Sequence, residues 1–490
     1  MHLRNALGFI TVSWMFGSVW MTATAGAPLA VFASGLGASP FQFGLLSALP
    51  FIASLISLPA SVLIDATGHR KGIFLVSLYA QRALWFAIAL APLWMMERPG
   101  LAPWAMAVFL VLMFLMHCGQ AVGGPAWVSW MADVVPERSR GKYFGRRRQW
   151  GIVTAVPVAC IVGFLLDRMR PDPAGPVSSQ AMWVCALVFI AAAVFGLIDI
   201  AMFQFVPHRR SKPAARGSLL QNLAKPLRDG QFLWFAGFVG TMIFAISFMG
   251  QFVTLYLIEK LRIANLETQV MLLVAPMVAQ FVVLHAWGKA VDRMGKKPVL
   301  VLASLGLVPV GLGWCLMNSG MTWLGYLLSG LGAALWAGVE VANFNLVLEM
   351  SGSDDKKQGG SSYVAANGVI INVAGALGGL TSGVIATWLK DWSWDPRVLG
   401  LAPFTFYEVL FLLSGLLRLV AVGIFLPHLH EHGAKPAREA LRFMTANIYN
   451  NLSSAALLPL RVFKLLPRET YRDIDPGSDA SSMSPHREGR

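Results

Sequence analysis

The sequence predicts an all-α integral membrane protein, with twelve transmembrane helices arranged as two pseudo-symmetric six-helix bundles. Three observations carry that prediction. Of 490 residues, 56% are apolar and only 13% charged, with a mean hydropathy of +0.60, whereas a soluble chain carries roughly a quarter charged residues. Apolar runs of about twenty residues recur along the chain, each long enough to cross a ~30 Å hydrocarbon layer as a helix. The two halves also repeat each other's pattern.

The spans fall at about 8–32, 41–64, 72–95, 102–129, 146–166 and 182–206 in the first half. In the second they fall at 231–258, 268–288, 298–317, 321–347, 363–389 and 404–426. The opening run could mimic a signal peptide with "AGA" as its cleavage site, but it is too long for an h-region and Pro28 follows the site. Between the sets, "VPHRRSKPAARGSLLQNLAKPLRDG" is polar, basic and proline-bearing, as a linker is. The expected organisation is a bundle over 1–206, a linker over 207–230, a bundle over 231–427 and a tail over 428–490. Within the tail Ala437, Leu441, Met444, Ile448 and Leu452 recur at helical spacing, which predicts an amphipathic helix on anionic lipid. The final stretch has the composition of a disordered end.

The net charge of +14 does not call for nucleic acid. Lysine and arginine concentrate in the segments on the N-terminal side of the membrane, which is the positive-inside bias. It places both termini in the cytoplasm and the chain in an inner, plasma-type membrane. Cys118, Cys160, Cys185 and Cys315 all fall inside spans, with no spacing for a disulfide framework or a zinc site. His428, His430 and His432 lack the spacing of a metalloprotease helix, and no Gly-x-x-x-x-Gly-Lys-Ser/Thr loop is present. No metal, cofactor or enzymatic activity is expected.

The repeat is visible in two places. "LIDATGHRKGIFL" (63–75) corresponds to "AVDRMGKKPVLVL" (290–302). At a shift of 220, Tyr143 meets Tyr363, and Ala155, Ala159 and Gly163 meet Gly375, Gly379 and Gly383. Small residues at every fourth position form a groove into which another helix can press.

The charged turn "GKAVDRMGKK" presents Gly288, Asp292, Arg293, Gly295, Lys296 and Lys297. It resembles the loop signature of the major facilitator superfamily, Gly-x-x-x-Asp-Arg-x-Gly-Arg/Lys-Arg/Lys. The first-half copy keeps Asp65, Gly68, Arg70 and Lys71, but has Ser61 for the glycine and Ala66 for the arginine. A third stretch, with Asp133, Glu137, Arg138, Arg140 and Gly141, is similar to the family's loop between helices four and five. The resemblance covers residues 1–427.

It implies a secondary active transporter, a monomer set among membrane lipids, working by alternating access. Physically, the glycine permits a tight reversal, and the basic pair holds the loop at the lipid surface. A carboxylate ending a span can face the amino end of a helix in the opposite bundle, where free N–H groups and the macrodipole favour an anion. By resemblance, Asp292 would latch near the start of span five and Asp65 near Tyr363 at the start of span eleven, closing the cytoplasmic gate. Span five has Pro157 but not the Gly-Pro…Gly-Gly arrangement of many exporting relatives.

In this architecture the first, fourth, seventh and tenth helices line the cavity. Glu340, about 13 Å deeper than Glu349 if helical, leads the candidates. In an apolar setting it can load and release a proton; the alternatives are a neutral structural acid or one paired to Lys or Arg. It aligns with Gln120, and His117 lies one turn before Gln120. Gln251, with Phe244 and Phe248, then Trp336, Asn367 and Asn372 add a mildly polar, aromatic lining. That lining suits a neutral or amphiphilic small-molecule solute, with a proton as the coupling ion. Arg82, Asp199, Glu408 and Arg418 fall on peripheral helices, where inward-facing partners are expected. Two competing readings are a transporter-shaped scaffold or sensor that docks through its tail, and a lipid flippase of the same fold.

Overall fold

A chain of long apolar runs has no water in the bilayer to satisfy its backbone, so each run must close its hydrogen bonds internally as a helix. The computed structural model describes residues 3–136, 139–170, 172–208, 225–352, 360–395, 403–431, 436, 438–439 and 441–445. Among them, twelve helices are long and apolar enough to cross a membrane. They are α1 (Asn5–Ala23), α2 (Pro40–Ile64), α3 (Arg70–Met96), α4 (Ala102–Val134), α5 (Tyr143–Met169) and α6 (Ser179–Phe205), followed by α7 (Gly230–Lys260), α8 (Asn265–Met294), α9 (Lys296–Leu316), α10 (Thr322–Ser351), α11 (Ser362–Trp388) and α12 (Phe406–His428). The near side is the one carrying the start of α1 and the charged turns; the far side is opposite.

The packing repeats at a step of six helices. α1 packs on α5 and α6, α3 on α4 and α6, and α2 on α4; α7 packs on α11 and α12, α9 on α10 and α12, and α8 on α10. The halves join crosswise, α2 on α11 and α5 on α8. Tyr143 and Tyr363, paired by the sequence shift, do matching work. Tyr143 donates to the Leu7 carbonyl near the start of α1 at 3.0 Å, and Tyr363 donates to Asp229, the N-cap of α7, at 3.1 Å.

One expectation is corrected. Span one is not a continuous helix over 8–32: it ends at Ala23, and a nine-residue helix, Ala27–Gly35, starts after a break. Gly26 holds φ +73°, where a side chain is strained, and Pro28 stands in the first turn of the new helix, where its missing N–H costs nothing. The "AGAP" that looked like a cleavage site is this break. α7 is interrupted at the matching place, between Ser247 and Phe252.

The tail is described only in part. Arg438, Glu439 and residues 441–445 are helical. Met444 is buried in the core of the second half with Phe443 packed beside it, and Leu441 is exposed. This turn therefore docks on protein as well as presenting an apolar face outward. Ala437, Ile448 and Leu452 lie outside the described residues.

Candidate functional site

The two breaks are held by the opposite half. Gln269 of α8 accepts from the Ala27 N–H at 2.8 Å and donates to the carbonyls of Ala25 at 3.1 Å and Thr22 at 3.5 Å. It supplies the partners that the broken turn of α1 lacks. Reciprocally, Ser47 of α2 accepts from the Gln251 N–H in the α7 break at 3.0 Å. Such interrupted helices at a repeat interface bring backbone polar groups to a site inside the membrane.

The far side is closed. Asp167, at the end of α5, accepts from the backbone N–H groups of Asn265 and Leu266 at 2.6 and 3.0 Å, and from the Asn265 amide at 2.9 Å. A carboxylate thus caps the N-terminus of α8 across the interface. Gly163 lets the α8 backbone approach: a Cβ there would lie 2.4 Å from Leu266 Cα. On the other seam, a Cβ on Gly44 of α2 would lie 2.4 Å from Gly383 Cα. The small-residue stripes of α5 and α11 are therefore the surfaces on which the halves close. Ser34 and Tyr407 both donate to Glu259, at 2.9 and 3.2 Å, adding a third tie. The innermost crossing bond is Arg148 to Gln280, at 2.6 Å. The hydrogen bonds joining described residues of the two halves all lie between the far side and that level.

On the near side the charged turns are tied within their own halves. Gly68 and Gly295 hold φ +66° and +97°, the reversal that glycine allows. Arg70 pairs with Asp133 at the end of α4, and Lys71 donates to the Gln204 and Val206 carbonyls at the end of α6, at 2.7 and 2.8 Å. The second half repeats the arrangement. Lys296 pairs with Glu349 at the end of α10 at 2.8 Å, and Lys297 donates to the Leu429 carbonyl after α12. Glu431 caps α9, accepting from the Lys296 and Lys297 N–H groups at 3.0 and 2.7 Å. The basic pair thus binds the ends of its own bundle in addition to any lipid. Asp292 and Arg293 are exposed, and Gly288 has open space where its Cβ would be. Arg140 donates to the Ala132 carbonyl at 2.9 Å, and Gly141 is unobstructed. Glu137, Arg138 and the Asp65 side chain lie outside the described residues.

Between these ends lies a cavity of about 460 Å³. Its walls come from α7, α8, α9, α10 and α12, with Gly26 of the α1 break as the first-half contribution. Gln251 and Trp336 are on the wall, as are Gln280 and Arg418. Glu340 is exposed and accepts from the Trp336 indole at 2.8 Å, one helical turn away. Gln120 accepts from Gln81 of α3 at 3.1 Å, so it joins a bundle-internal network. Asn367 is buried with its amide oxygen unpartnered. His117 and Asn372 are partly buried. The expected partners of the interior charges are met for Arg82 and Asp199, at 3.3 Å, and for Glu408 with Lys260. His428 stacks on Trp234 with ring centroids 4.1 Å apart.

Sequence reasoning missed Asp167, Gln269 and Ser47, which act only through the opposite half. It also did not place Arg418 on the cavity. An acid at the end of α5 and a run "ANLETQ" opening α8 were legible, but nothing local pairs them.

The Major Facilitator Superfamily model matches residues 9–379. No curated protein matches the sequence. Among solved structures, a mutant of the nucleoside transporter NupG aligns at TM-score 0.62 and 14% identity, over 87% of this chain and 99% of that one. A bacterial homologue of the iron transporter ferroportin, in an inward-facing state, aligns at TM-score 0.62 and 12% identity over 87% and 99%. A variant of the E. coli fucose:proton symporter FucP aligns at 0.54 and 16% over 88% and 100%. At such identities the likeness shows the fold, while the family match spans most of the chain. With twelve spans, a six-helix repeat and both charged turns in place, the chain belongs to the Major Facilitator Superfamily, a family of membrane transporters and not of enzymes.

Proposed function

We propose that the protein is a secondary active carrier that moves a small organic solute by alternating access, coupled to protons through Glu340. The observation that carries this reading is the cavity itself. It is bounded by two broken helices, and the described bonds between the halves run from the far side only as far as Gln280. In this reading residues 1–206 and 231–427 are the moving units, 207–230 joins them, and the near side is the cytoplasm, by the positive-inside bias. The structure is then the inward-facing state. Asp292, exposed here, is the latch that engages the start of α5 when the far side opens.

Glu340 suits coupling because its carboxylate is exposed next to a cavity-wall indole, and no ion pair to a described Lys or Arg holds it. FucP, a fucose:proton symporter, and a D-xylose-proton symporter share the fold, which makes proton coupling chemically consistent with the scaffold.

The first experiment is a thermal-unfolding screen of purified protein against solute libraries at acidic and neutral pH. A solute at 100 times its dissociation constant adds about 2.7 kcal/mol if it binds only the folded state. With a hit in hand, proteoliposomes with an imposed proton gradient test coupling. The native protein accumulates the solute, and Glu340→Gln exchanges it across the membrane without accumulation. Gradient-driven accumulation by Glu340→Gln at every pH would reject proton coupling through this residue.

A further inference from the structure

The interior charges of the two halves are not equivalent. In the first half Arg82 of α3 and Asp199 of α6 are each 5% exposed and neutralise one another at 3.3 Å. Arg82 also donates to Gln81 at 2.7 Å and lies 3.4 Å over the Trp20 ring. Gly17 leaves room for the Asp199 carboxylate and Gly196 for the Arg82 side chain. The equivalent helix pair in the second half is α9 and α12. There Arg418 stands 219 residues after Asp199, one short of the shift that superposes the tyrosines and the small-residue stripes. Where the first half has an acid, the second has a base.

Arg418 has no acid of its own among the described residues. It is 3% exposed, donating from Nη1 to the Leu307 carbonyl at 2.8 Å and from Nη2 to Met249 sulfur at 3.0 Å. No described Asp or Glu lies within ion-pair distance of it. A guanidinium has five N–H donors in a rigid fork; two are taken here, and Nε–H has no partner. This side chain is on the cavity wall, roughly halfway along α12. A cation held in the membrane interior without a counter-charge is costly, and residues kept at such a cost mark solute or ion pathways.

We propose that Arg418 is the anchor for a negative group on the transported solute, and that the solute is a monocarboxylate with an apolar or aromatic body. The charge count sets the class: one arginine and no described lysine on the wall match a single negative charge better than a dianionic phosphate monoester. The fork geometry matches the two oxygens of a carboxylate. The body follows from the remaining wall, where Trp314, Trp336, Leu272, Leu328 and Val310 surround the space. A cavity of about 460 Å³ falls within the usual range for small-molecule sites. The inference rests on the carrier reading above and specifies its substrate.

The test uses the full-length protein in lipid nanodiscs, with benzoate, phenylacetate and octanoate as probes and their amides as neutral controls. The carboxylates are expected to raise the unfolding temperature in a saturable way, and the amides and phenyl phosphate not to. Arg418→Gln, checked for folding by size-exclusion profile, should bind the carboxylates about tenfold to a hundredfold more weakly. Arg418→Lys, which keeps the charge but not the fork, should fall between and covers the case in which the glutamine variant does not fold. Equal binding of amides and carboxylates, stronger binding of phenyl phosphate, unchanged affinity in both variants, or no carboxylate bound at all would each overturn the proposal. Uptake into proteoliposomes separates the two readings. Carboxylates that bind through Arg418 but never cross leave the anchor and remove the carrier. A neutral solute that crosses with no carboxylate bound leaves the carrier and removes the anchor.

Discussion

At the scale of single residues, the structure is organised by buried charges that reach across packing surfaces. Asp199 illustrates the cost. Replacing it with Ala leaves Arg82 as an uncompensated cation deep in the first half, and breaking a buried pair from one side costs about 3–5 kcal/mol. A chemical-denaturation series on Asp199→Ala should show that loss, and the double change Arg82→Met with Asp199→Leu should recover most of it, since well-packed apolar replacements of a buried pair are often neutral. Asp167 is different, because its three bonds cross between the halves on the far side. Asp167→Asn removes charge-assisted bonds to a helix N-terminus, roughly 1.5–3 kcal/mol each in favourable settings, so it should shift the population toward far-side opening. Spin labels at Gly100 and Gly320, which lie in the turns before α4 and α10, should show a longer-distance component in Asp167→Asn than in the native protein.

At the scale of elements, the helices were legible and their interruptions were not. Hydropathy marks a run of apolar residues whether or not it bends, so 8–32 reads as one span although it breaks at Gly26. The local signal was present in Gly26 and Pro28, yet the reason for a break at that place is Gln269, 242 residues away. The small-residue stripes were legible as grooves, but only the packing identifies what fills them: Gly44 for α11 and Leu266 for α5. Gly44→Val should therefore keep the far side from closing. A Cβ that meets backbone cannot be accommodated by a rotamer change. The variant is expected to insert in the membrane normally, to lose transport at least tenfold, and to give a widened Gly100–Gly320 distance. An unchanged distance would mean that the α2–α11 seam yields without opening.

At the scale of the whole molecule, two half-structures built alike are joined by hydrogen bonds that, among the described residues, are confined by depth. The described bonds close one end, and the charged turns at the other are tied within their own halves, leaving Asp292 exposed. Cysteines at Asp292 and Gly141 in a background lacking the four native thiols should cross-link faster in Asp167→Asn than without it, because in the proposed alternating-access cycle the near ends approach when the far side opens. The tail predicts a further result. Met444 is part of the second-half core, so truncation after Thr445 should leave flux unchanged, whereas cutting before Phe443 should lower the unfolding temperature.

The sequence alone determined the helix count, the twofold repeat, the family and the sidedness of charge, because each depends on composition and period within a single run of chain. It also offered Glu340 and Trp336, whose hydrogen bond spans one turn of one helix. Tertiary structure alone decided which end is closed, which carboxylate caps which helix, and that Arg82 has an acid while Arg418 has a cavity. Those outcomes depend on residues from about a hundred to more than two hundred positions apart meeting across interfaces, and no local pattern in the chain encodes that meeting.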